Sequence, residues 1–60
     1  MKRLRYEIIY TNTDNQRDFE EFTTKKEAQK IAMYFKKKGY TKIFLDAFDS
    51  DNDCLYSIQY

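Results

Sequence analysis

Hydrophobic and polar residues alternate along the start of the chain, where Leu4, Tyr6, Ile8 and Tyr10 are interleaved with Arg3, Arg5, Glu7 and Ile9. A period of two sends the two sets to opposite sides of an extended backbone, so this segment predicts a half-buried strand. The polar run 11–16 reads as a turn, and residues 17–23 return as a shorter strand. Phe19 and Phe22 differ in parity there, so one of them leaves the core face or a bulge shifts the register between them. The period then changes. Ala28, Ile31, Ala32 and Phe35 fall at i, i+3, i+4 and i+7, one stripe of a helix that must be buried. Thr24 and Glu27 make a capping box at its start, the threonine hydroxyl accepting from a free amide while the glutamate reaches back to the cap. Lys36, Lys37 and Lys38 crowd the other end, where cations suit the helix dipole, and Gly39 stands where a left-handed cap belongs. Thr41–Phe48 predicts a third strand, residues 49–52 a turn, and residues 54–60 a fourth strand.

Two hairpins joined by one helix are not stable separately in water, so the helix is expected to pack across a single sheet. The expected architecture is α+β, a two-layer ββαββ domain whose four-stranded antiparallel sheet carries one helix on one face. Residues 1–60 form one such domain. Strand order 2-1-3-4 puts the two most apolar strands in the centre, and 1-2-4-3 is the other antiparallel order. A chain of 60 residues buries only about 60% of the surface its unfolded form exposes. Six tyrosines and five phenylalanines compensate with large buried areas.

A sheet with one helix has a second face, which parity makes unusual here. If Tyr6, Ile8, Ile43 and Leu45 point to the helix, then Ile9, Phe44, Phe48 and Leu55 point away from it. Such a patch suits self-association as a dimer or a site for another protein. Aromatic rings on an open sheet also suit stacking of single-stranded DNA or RNA.

The net charge is only +1, but it is unevenly placed. Residues 1–40 hold ten Lys or Arg against six Asp or Glu, and residues 41–60 one lysine against four aspartates. Lys26, Lys30 and Lys37 fall opposite the buried helical stripe and predict a basic outer ridge. Arg3, Arg5 and Lys42 add positive charge to the sheet face away from the helix, where Glu7 and Asp46 also lie.

Catalytic chemistry finds no foothold. The chain has no histidine, no glycine-rich phosphate loop and no reactive-serine motif, so no enzymatic activity and no cofactor are expected. Cys54 is a lone thiol without a visible base and reads as a small packing residue. Asp49, Asp51 and Asp53 start like a calcium loop, but Cys54 follows where glycine is needed and Tyr60 occupies the twelfth position instead of glutamate. An acidic hairpin turn is the expectation, with no metal. No apolar run approaches the 18 residues of a membrane span, and Leu4-Arg5-Tyr6-Glu7 after the basic Met1-Lys2-Arg3 is no signal-peptide core. The expected compartment is cytoplasmic.

Residues 6–37 resemble the arm-type DNA-binding domain of phage and transposon integrases, in which a hairpin leads through a phrase like Phe22-Thr23-Thr24-Lys25-Lys26-Glu27-Ala28 into one helix. That resemblance implies DNA binding, although those domains use a three-stranded sheet fused to a recombinase. The whole outline is also similar to small bacterial and phage proteins built as hairpin, helix, hairpin, which implies a fold alone. The function expected is a small protein-binding module acting through Ile9, Phe44, Phe48 and Leu55. The alternative is a nucleic-acid-binding domain acting through Arg3, Arg5, Lys26, Lys30 and Lys37.

Overall fold

The computed structural model describes residues 3–60; Met1 and Lys2, which open the basic start, lie outside it. The chain runs β1 (Arg5–Thr11), β2 (Arg17–Phe22), α1 (Lys25–Lys37), β3 (Thr41–Phe48) and β4 (Cys54–Gln59). All four strands join one antiparallel sheet in the order β2-β1-β3-β4. The ββαββ arrangement expected from the periodicities is therefore the fold, and the order 1-2-4-3 is excluded.

One face of the sheet makes the core. Tyr6, Ile8 and Tyr10 of β1 and Ile43, Leu45 and Ala47 of β3 meet Ala28, Ala32 and Phe35 of α1. The two alanines let the helix approach the sheet closely, and Phe35 fills the space beyond them. Phe22 packs against this cluster. Phe19 lies on the opposite face, paired with Ile9, so the parity conflict in β2 is resolved by exposing one ring without a bulge in the β1–β2 ladder.

Both ends of α1 are satisfied. At the start one half of the capping box is in place, with the Glu27 amide donating to Thr24 Oγ1 at 3.3 Å. At the other end Gly39 takes φ +90°. This turns the chain so that the Gly39 amide donates to the Lys36 carbonyl at 3.2 Å and the Tyr40 amide to the Phe35 carbonyl at 3.0 Å. That paired return is a Schellman motif, and its usual apolar contact is the Phe35–Tyr40 ring pair, with centroids 5.0 Å apart. Tyr10 completes the cluster at 4.3 Å from Phe35 and 5.3 Å from Tyr40, nearly parallel to the latter. Burial first, then the Asp18 and Glu20 carboxylates, raises the Tyr10 hydroxyl above its ordinary pKa.

The two hairpin turns are built alike, which the sequence reading did not foresee. In Asn12-Thr13-Asp14-Asn15-Gln16 the Asn12 amide donates to the Gln16 carbonyl and the Asn15 amide to the Asn12 carbonyl, while Asn12 Oδ1 accepts from the amides of Asp14 and Gln16. In Asp49-Ser50-Asp51-Asn52-Asp53 the same four bonds recur with Asp49 in the role of Asn12. The fourth residue of each turn is a left-handed asparagine, Asn15 at φ 63° and Asn52 at φ 64°. Asparagine is among the few non-glycine residues that tolerate this region.

Candidate functional site

The sheet face turned away from α1 is covered by no other element among the described residues, and cross-strand register sets its side chains in rows. One row is Phe19, Ile9, Phe44 and Gln59, read from β2 to β4. The next is Glu21, Glu7, Asp46 and Ser57. Beyond it Arg5, Phe48 and Cys54 stand in line, with Leu55 as the extra residue of a bulge between Ala47 and Phe48 on the partner strand.

The four residues expected on this face are thus there, but they do not form one continuous patch. Ile9 and Phe44 belong to one apolar strip, Phe48 and Leu55 to another, and the carboxylate row separates them. Alternate residues of a strand stand about 7 Å apart, so the row breaks the apolar surface without isolating its halves. Phe19 is 56% exposed and Leu55 50% exposed. Ile9, Phe44 and Phe48 are half-buried.

Arginines account for part of that shielding. The Arg5 guanidinium lies 4.7 Å over the Phe48 ring, and that of Arg17 lies 5.9 Å over Phe44. Arg5 Nη1 also donates to Glu7 Oε1 at 3.0 Å and to Glu21 Oε1 at 3.5 Å, and its Nη2 donates to Asn52 Oδ1 at 2.7 Å. Arg17 Nη1 donates to Thr11 Oγ1 at 3.1 Å and to the Lys42 carbonyl at 3.0 Å. Three carboxylates side by side on adjacent strands repel one another, and Arg5 from one end and the Ser57 hydroxyl donating to Asp46 Oδ1 from the other offset part of this.

Sequence reasoning missed Phe19 and Arg17. The parity conflict already flagged Phe19, and burial of Phe22 settles it. Arg17 shares parity with Phe19, but its place over Phe44 is set across strands, by its bonds to Thr11 and to the carbonyl of Lys42, which takes φ 52° beside the bulge between Ile9 and Thr11 in the β1–β3 ladder.

The basic residues named for nucleic acid do not converge. Lys26, Lys30 and Lys37 are exposed on α1, on one side of the sheet, while Arg5 is on the other and is held by its partners. Arg3 is exposed just ahead of β1 and borders a cleft of about 490 Å³ with Leu4, Phe22 and Asn52.

The Asp49, Asp51 and Asp53 carboxylates converge within 4.8 Å of one another. Their convergence follows from the turn itself, since the first hairpin builds the same loop from Asn12, Asp14 and Gln16, a set with one carboxylate. No helix among the described residues is long and apolar enough to cross a membrane. No family model matches the chain, and no curated protein or solved structure matches it.

Proposed function

We propose that this protein is a small binding module that engages another protein through the open face of its sheet. The observation that carries the reading is Phe19, 56% exposed and in one row with Ile9 and Phe44 on a face that no other element covers among the described residues. Exposed aromatic anchors in a row are the material of protein interfaces, where a few large side chains supply most of the energy. The carboxylates of Glu7, Glu21 and Asp46 between the apolar strips favour a partner surface that offers apolar groups beside a cation. The same carboxylates repel phosphates, so they count against a base-stacking platform here.

The double variant Phe44→Ser/Phe48→Ser tests this. It is expected to keep the parent circular dichroism and to lose a partner that the immobilised parent captures and retains at high salt. Unfolding of the variant would place the two rings in the core, and equal capture by both proteins would remove the face from the interaction.

A second reading has one observation in its favour. Lys26, Lys30 and Lys37 are exposed and make no salt bridge among the described residues, leaving a ridge free to meet phosphates. Nucleic-acid binding through it would fall steeply with salt and flatten when the three lysines are replaced by alanine. Absence of binding to DNA and RNA at low salt would end that reading.

A further inference from the structure

We propose that β4 is a pairing edge, and that it adds antiparallel to β4 of a second copy of this chain to make one continuous eight-stranded sheet. The two edges of the sheet are unlike. β2 carries Arg17, Asp18, Glu20 and Glu21 among six residues, a charge density that blocks strand addition. β4 reads CLYSIQ, with no charge and no proline. Helix α1 packs on β1, β2 and β3 and reaches β4 through the Lys25 ammonium, 5.2 Å from the Tyr56 ring centroid, while Ile58 and Tyr60 pack at the rim of the core and stay half-buried.

Backbone alternation fixes the register. The Tyr60 amide donates to the Ile43 carbonyl at 2.9 Å, and Leu45 pairs with Ile58. The backbone groups of Tyr56, Ile58 and Tyr60 are therefore spent on β3, while those of Ser57 and Gln59 point outward. A two-fold axis at Ile58 sets Ser57 opposite Gln59 of the second copy, and Gln59 opposite its Ser57, so every outward amide and carbonyl of the stretch is paired. On the helix side Ile58 then faces Ile58, and Tyr56 faces Tyr60. These are the non-hydrogen-bonded positions, where side chains approach most closely and aromatic pairs contribute most. The bulge at Leu55 lies outside this stretch.

A second copy suits this edge for two reasons. An uncharged strand is not repelled by its own image, and the axis puts both helices on the same side, flanking the Tyr56, Ile58 and Tyr60 side chains that each core leaves partly exposed at its rim. The contact uses the sheet edge and leaves the open face free, so it stands apart from the protein-binding reading above.

Sedimentation from low micromolar to submillimolar concentration is expected to show a monomer–dimer equilibrium. Gln59→Pro removes an outward amide, and Tyr56→Lys puts a charge at the edge. Each is expected to weaken dimerisation about tenfold or more with unchanged circular dichroism. Phe19→Ser on the open face is expected to leave the dimer intact. Hydrogen exchange of the unmodified protein supplies an independent reading, with the Ser57 and Gln59 amides gaining protection as concentration rises. A parent that stays monomeric, exchange at these two amides that ignores concentration, or a dimer that Phe19→Ser disrupts and Gln59→Pro does not, would each overturn the proposal.

Discussion

Phe35 ends the buried stripe of α1, touches both Tyr10 and Tyr40, and supplies the carbonyl that the Tyr40 amide closes on. Its loss therefore opens a cavity and loosens a cap together. Phe35→Ala is expected to cost about 3–5 kcal/mol in chemical denaturation, enough to unfold much of a domain this small. Lys37→Ala, two residues on and exposed, is expected to change stability by about 0.5 kcal/mol or less. Comparable losses from the two would mean that the ring is not part of the core.

Turns make the sharpest claim at the scale of elements. If Asp49 serves the second hairpin as Asn12 serves the first, then Asp49→Asn keeps both side-chain acceptor bonds and is expected to be nearly neutral in thermal denaturation. Asp49→Ala loses them and is expected to cost about 1–2 kcal/mol, as is Asn52→Ala, which forces alanine into the left-handed region. A large loss from Asp49→Asn would show that the carboxylate has work beyond the turn. The strands and the helix were legible because each has a period that only one backbone satisfies, and the helix ends because a cap residue and a glycine mark them. Neither bulge was legible. Lys42 and Leu55 look like ordinary strand residues, and the extra residue each introduces is set by how the partner strand must turn. The open face was legible in its membership and not in its order, since rows depend on register across three ladders and sequence shows only one strand at a time. The arginines over Phe44 and Phe48 follow from those rows, and so were out of reach as well.

At the scale of the whole molecule, β1 and β3 carry the centre of the sheet, yet each is joined by a tight turn to an outer strand instead. The β1–β2 and β3–β4 ladders close short loops, whereas β1–β3 pairs residues roughly 30 to 43 positions apart, from Thr11 with Thr41 to Arg5 with Phe48. Loop closure over that span is the costlier event, so the chain is expected to meet its kinetic barrier when two locally formed halves dock and the helix comes down on both. Conservative trimming at that seam, Ile8→Val or Leu45→Val, should slow folding more than it speeds unfolding in stopped-flow kinetics, and so should substitutions in the Asp49–Asp53 turn, whose hairpin is formed before the halves dock. The strand order that buries the apolar strands thus also decides which contact forms the bottleneck: the longest-range ladder in the protein is also its central one, and the domain cannot be half assembled and stable.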